Sequence, residues 1–293
     1  MTRPKDWLLA GILLLAVIIL LVVVWKRPQS GREFDVVGGD SSDRLGVVEI
    51  LGPIWESKPV LRLLERFEED GDIKGLLIRI DSPGGAVASS QEIYEEIRRM
   101  RDEGMPVVVS MGTVAASGGY YIACAADSIV SNPGTTTGSI GVIAQFPVVA
   151  DLISRWGIQF ETVKSGPFKD TGSPYRKATP ADREWVKDWV DDAFEQFVEV
   201  VAEARSLPID TVREYATGQV FTGRQALEMG LVDKLGNFNR AVELLAAMAG
   251  IEGKPELVYR RKPRWSLWYM LTEDVREWAP TLLWTLFNPF RYQ

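Results

Sequence analysis

Hydrophobic positions along this chain fall into three regimes. The first is an unbroken run, Trp7 to Trp25, without a single charge. Its nineteen residues would rise roughly 28 Å as a helix, the thickness of a hydrocarbon core. Tryptophans at both ends suit the interfacial belts of a bilayer. A cleaved signal peptide is the competing reading, but its apolar part is shorter and a small-x-small site follows it. Here Trp25-Lys26-Arg27-Pro28 follows. The run therefore predicts an uncleaved anchor over 7–25, preceded by the short flank 1–6. Charge barely orients it, since Arg3 and Lys5 stand on one side and Lys26, Arg27 and Arg32 on the other.

In the second regime short apolar runs alternate with segments of helical period. Residues 26–44 are polar and rich in Gly and Ser, which reads as a tether. Leu45–Leu51 is a β-branched strand pattern, and Pro59–Glu69 has helical periodicity with Ser57 as its possible cap. Ile73–Ile80 predicts a buried strand, Ala88–Arg101 a charged amphipathic helix and Pro106–Met111 a further strand, with a helix beginning near Ser117. A long helix is expected over Ala181–Arg205, where Trp185, Trp189, Ala193, Phe197 and Val201 recur every fourth residue; that stripe is either core or a contact between protomers. Pro208 ends the run, and Thr222–Met229 and Phe238–Met248 are two more helices. Strands alternating with helices imply βαβ units and a largely parallel sheet, an α/β fold. No internal repeat is present, so residues 45–259 read as one catalytic unit.

The third regime is the tail, 260–293. It mixes Arg261, Lys262 and Arg264 with Trp265, Trp268, Tyr269, Trp278, Trp284, Phe287 and Phe290. Glu273, Asp274, Arg276 and Glu277 in its middle exclude a spanning helix. It lies as an amphipathic segment in a membrane interface, or docks on the body or a neighbouring subunit.

Composition narrows the chemistry. Of 293 residues, 46% are hydrophobic and 25% charged, as in an ordinary globular protein. The net charge of −7 argues against nucleic acid as a partner. The chain has no histidine at all. Histidine bases, the usual serine triad and histidine-containing zinc sites are therefore impossible. The single cysteine, Cys124, cannot form an intramolecular disulfide and lacks the histidine a cysteine protease needs. It reads as a small apolar packing residue.

Four segments carry candidate chemistry. Asp81-Ser82-Pro83-Gly84-Gly85 follows a strand, and its glycines either turn backbone N–H groups toward a developing oxyanion or form a plain turn. Ala116-Ser117-Gly118-Gly119 sits between a strand and a helix. There Ser117 is either a nucleophile, with the Gly118 N–H beside it, or a helix N-cap. The third segment is Thr137-Gly138-Ser139-Ile140-Gly141-Val142. The fourth, Lys164-Ser165-Gly166-Pro167-Phe168-Lys169-Asp170, offers two loop lysines, each a candidate base or a solvated charge. Without histidine, lysine is the leading partner for a serine nucleophile. A lysine amine ordinarily titrates near 10.4, so one serving as a base near pH 7 must be held neutral by burial.

Taken in order, these segments resemble the signal peptide peptidase A family of membrane-bound serine–lysine proteases, in a short single-repeat form. The pieces are the N-terminal anchor, DSPGG at 81–85, SGGYYIA at 117–123, TGSIGV at 137–142 and KSGPFKD at 164–170. Gly218–Ala226 (GQVFTGRQA) and Gly230–Asp233 (GLVD) also match, so the resemblance covers roughly 45–250; the aromatic tail carries no signature of the family. It implies Ser117 as nucleophile, Lys169 as general base and Ser139 as the hydroxyl that orients the lysine amine. It implies an oxyanion hole from Gly84 or Gly85 with Gly118, and leaves Lys164 outside the base role. The implied fold is the superhelical α/β core of Clp protease subunits and crotonases. The family also builds ring- or dome-shaped homo-oligomers whose active sites are completed by neighbouring protomers. No metal or cofactor is implied.

The sequence thus predicts a membrane-anchored serine endopeptidase, and the resemblance implies that it faces the outer side of a prokaryotic cytoplasmic membrane. Its expected substrates are remnant signal peptides or other hydrophobic peptides. The rivals are a protease for a membrane-scaffold protein, a crotonase-like acyl-CoA enzyme, and a membrane scaffold that kept the fold without activity.

Overall fold

The structure, a computed structural model, describes residues 34–39 and 43–261 together with the strand Phe290–Tyr292. The expected anchor and most of the tail lie outside the described residues. Among the described residues no helix is long and apolar enough to cross a membrane.

Parallel strands form the centre. In chain order the strands are β1 (Phe34–Val37), β2 (Arg44–Leu51), β3 (Ile73–Ser82), β4 (Val107–Ala116), β5 (Ser128–Ser131), β6 (Thr136–Gly138), β7 (Val142–Ala144), β8 (Val220–Thr222), β9 (Lys234–Leu235), β10 (Glu256–Arg260) and β11 (Phe290–Tyr292). The helices are α1 (Lys58–Glu69), α2 (Val87–Asp102), α3 (Gly118–Ala123), α4 (Ala150–Arg155), α5 (Pro180–Arg205), α6 (Ile209–Tyr215), α7 (Gly223–Glu228) and α8 (Phe238–Met248). The main sheet runs β1-β10-β2-β3-β4-β5-β9, parallel except for β1. β6 extends it beside the end of β4 and is flanked by antiparallel β8.

Helices cover both faces, which is why β3 and β4 are apolar almost throughout. On one face Leu45, Leu77, Val108 and Val130 pack against Ala241 and Leu245 of α8. On the other Val48, Ile78, Ile80 and Val109 meet Leu64 and Phe67 of α1, Ile93 and Ile97 of α2, and Phe197 of α5. Each fully buried leucine or isoleucine stabilises the fold by about 1.5–3 kcal/mol.

The structure corrects several boundaries. β4 runs to Ala116 rather than Met111. The Asp81 carboxylate accepts the Val114 N–H at 3.0 Å, so a side chain from β3 carries β4 past its apolar run. Ser57 occupies the N-cap position of α1 without capping it; its hydroxyl turns to the Glu92 carboxylate instead. Phe34–Val37, within the stretch read as tether, is strand β1 and pairs antiparallel with β10. The α5 stripe divides: Ala193, Phe197 and Val201 are core, Trp189 is half-buried and Trp185 is exposed.

Candidate active site

The turn from β4 into α3 holds Ser117 at φ 55° and ψ −121°, a region few non-glycine residues occupy. Small neighbours make the turn possible. A Cβ on Gly118 would fall 2.4 Å from Ser90 Oγ, and one on Gly84 would fall 2.8 Å from both Ser117 Cβ and Gly118 N. The loop after β3 and the serine turn therefore touch backbone to backbone. Ser117 is fully buried, and its hydroxyl makes no cap bond to α3, which excludes the N-cap reading. Among the described residues its Oγ is the one buried side-chain polar atom without a hydrogen-bond partner.

Two amides belong to this turn and to the loop that touches it. Ile54 bridges the glycine loop through Ile54 N–H to Gly84 O (2.9 Å) and Ala86 N–H to Ile54 O (2.7 Å), which leaves the Gly85 N–H outside the ladder. The Gly84 N–H donates to Ser82 Oγ at 3.1 Å. Of the two glycines offered by the sequence, Gly85 is therefore the one whose N–H has no acceptor among the described residues. Its nitrogen lies 3.3 Å from where a Cβ of Gly118 would be. The Gly118 N–H belongs to the first turn of α3, where helical N–H groups have no intrahelical acceptor.

The third segment closes the other side. Ser117 N–H donates to Gly138 O at 2.8 Å, and Thr137 Oγ1 donates to Ala115 O at 2.6 Å. Ser139 is buried at φ 50°, fixed by its N–H to Gln219 O at 2.7 Å. The GQVFTGRQA motif thus supports the site from behind. Phe221 pairs Thr137, and Thr222 caps α7 reciprocally with Gln225. Tyr120 anchors α3 by donating to Leu231 O of the GLVD motif at 2.8 Å. Cys124 is buried in the core as expected, and burial pushes its thiol up to about 12.

The lysine segment is built separately. Lys164 pairs with Asp170 at 2.7 Å and donates to Pro167 O at 3.0 Å, so it shapes its own loop. Arg176 reaches both Asp170 oxygens at 2.8 Å and also binds Asp182. Asp182 is buried at the start of α5, where it forms a capping box with Thr179. Hydrogen bonds from Arg176, then Lys164, hold the Asp170 carboxyl well below the usual carboxylate range. Those from Arg176, Thr171 and the Thr179 N–H do the same for Asp182. Arg176 and Asp182 had not been singled out in the sequence, although Thr179-Pro180-Ala181-Asp182 is a legible capping signature.

Lys169 itself is exposed, and its ammonium has no partner among the described residues. It does not come within hydrogen-bonding distance of Ser117. One chain thus brings together Ser117, Ser139, Gly84, Gly85 and Gly118, and leaves Lys169 outside the cluster. The Lys169 region is unusually apolar for a surface: Trp156 is 70% exposed, Phe160 53% and Val163 94%. Phe168 stacks on Trp185 with both rings facing outward.

A buried serine on a strand-to-helix turn, packed against a glycine loop in a mostly parallel sheet, is an arrangement suited to a serine-type hydrolase. Comparison with known proteins sharpens this. Residues 99–252 match peptidase family S49, and residues 55–135 match the Clp protease family. A putative protease of Synechocystis is 42% identical over 211 residues, 71% of this chain and 76% of that protein. A putative signal peptide peptidase SppA of Enterococcus faecium is 34% identical, covering 74% of this chain and 63% of its own length. A chloroplastic serine protease SPPA of Arabidopsis thaliana is 35% identical over 78% of this chain, which is 34% of that protein. The chain belongs to peptidase family S49 and is a serine-type peptidase.

Proposed function

We propose that this protein is a membrane-anchored endopeptidase whose nucleophile, Ser117, is activated by Lys169 of a neighbouring copy. The observation that carries the reading is the buried Ser117 Oγ, without a partner among the described residues, on a turn that touches the glycine loop of Gly84 and Gly85. An unpartnered buried hydroxyl costs stability and calls for an explanation. A base arriving from outside the chain supplies one, and the exposed Lys169 on an apolar surface is the group suited to arrive.

The chemistry then runs in two steps. The Lys169 amine takes the Ser117 proton as Oγ attacks the scissile carbonyl. Gly85 and Gly118 donate to the oxyanion. The ammonium returns the proton to the leaving amine, and an acyl-enzyme remains. Lys169 then takes a proton from water, which attacks the ester and releases Ser117. Ser139, held rigidly beside the nucleophile's backbone, orients the amine. Remnant signal peptides and other hydrophobic peptides are the proposed substrates. The name of the Enterococcus relative and the apolar run Trp7–Trp25 support that choice.

Lys169→Arg tests the base. Arginine keeps the charge but stays protonated at working pH, since its pKa exceeds 12. We expect Lys169→Arg to be inactive and Lys164→Arg, which keeps the pair with Asp170, to be mostly active. A well-assembled Lys169→Arg enzyme with wild-type turnover would rule the mechanism out.

A further inference from the structure

The body carries a second cleft that the peptidase chemistry does not use. Lys58, Arg62 and Arg66 follow one another every fourth residue and so share one face of α1. With Arg260, at the end of β10, they line a cleft of about 280 Å3. Pro59 and Leu63 also line it, and Glu56 is its single carboxylate. Four cations thus face one anion. Lys58, Arg62 and Arg260 have no ion-pair partner among the described residues. Lys58 and Arg62, one turn apart, repel each other, and an anion entering between them and Arg260 relieves that repulsion.

The place of the cleft indicates which anion. Arg260 pairs in register with Phe34, and the Phe34 ring packs on Phe67 of α1 at 5.4 Å. The cleft therefore sits where the chain enters the body from its N-terminal apolar run. Residues 26–33 alone separate Trp25 from Phe34, a span of at most roughly 32 Å. On the other side Arg260 continues into Arg261, Lys262 and Arg264, with Trp265 and Trp268 among them. Arginine forks match phosphate geometry, and clustered basic residues beside a bilayer favour anionic headgroups.

We infer that the Lys58–Arg62–Arg66–Arg260 cleft binds the phosphate of an anionic lipid headgroup and holds the peptidase body against the membrane in a fixed orientation. The inference rests on the anchoring reading above. It is tested on the full chain in vesicles of phosphatidylcholine, with or without phosphatidylglycerol, by flotation and amide hydrogen exchange. Phosphatidylglycerol should slow exchange several-fold in 58–69 and 256–260. Lys58→Gln with Arg62→Gln should abolish that difference, and Lys234→Gln, on β9 and outside the cleft lining, should keep it. A protein that floats but shows no such difference, or shows it equally in the Lys58/Arg62 variant, overturns the inference alone. Failure to float with either vesicle overturns the anchoring reading and this inference with it. Equal protection by inorganic phosphate in phosphatidylcholine vesicles reassigns the cleft to soluble phosphates and also overturns it.

Discussion

Ser117 combines two unfavourable features at one residue: a backbone at positive φ and a buried hydroxyl without a partner. Strain of this kind costs on the order of 1–3 kcal/mol and persists where the surroundings over-determine it. If the hydroxyl waits for Lys169, its removal should help the fold whenever the lysine is absent. In a Lys169→Ala background, Ser117→Ala should therefore raise unfolding free energy by about 1 kcal/mol, and Ser117→Gly should be at least as stabilising because glycine accepts the turn. Urea titration of the variants measures this. Destabilisation by Ser117→Ala in that background would mean that the hydroxyl has another partner. Ser117 and Gly118 were legible in the sequence because small residues frame a tight turn. The choice between Gly84 and Gly85 was not legible. It depends on Ser82 Oγ and on a bridge from Ile54, three decades of residues away in sequence for the latter and set only by the folded chain.

At the scale of elements, the segment bearing Lys169 is fastened to the start of α5 by Arg176 between Asp170 and Asp182. Both carboxyls have folded pKa values depressed by these hydrogen bonds. Their contribution is therefore fully present above the unfolded value, near 3.9, and is lost as pH falls below it. Amide protection over 164–177 should hold from neutral pH down to about pH 5 and fall below about pH 4. Asp182→Asn should loosen the segment already at pH 7, lower kcat/KM, and flatten the acid dependence; an unchanged acid profile in that variant would contradict the fastening role. Periodicity predicted α2, α5 and α8 to within a residue or so. It missed the end of β4, where Asp81 rather than an apolar pattern continues the strand, and the pairing of β1, whose partner lies at the far end of the body. Contacts of that kind leave no local period in the sequence.

At the scale of the whole molecule, one chain holds the buried Ser117 against the glycine loop and, elsewhere on its surface, a lysine, Lys169, without a partner among the described residues. The parallel core was legible because strands buried on both faces read as continuous apolar runs. The separation of Ser117 from Lys169 within one chain leaves no mark in the order of the motifs; only the resemblance implied sites completed by neighbouring protomers. Exposed Trp156, Phe160 and Val163 around the lysine segment fit a surface that another copy covers. Complementation tests this directly. Ser117→Ala and Lys169→Ala chains, each inactive alone, are co-assembled in equal amounts and assayed on a hydrophobic peptide. If sites form between copies, random mixing in a closed ring restores about a quarter of wild-type activity, because half the copies keep each residue. Well-assembled mixed oligomers that remain inactive, beside wild-type oligomers prepared in the same way and fully active, would contradict a Ser117–Lys169 site shared between copies.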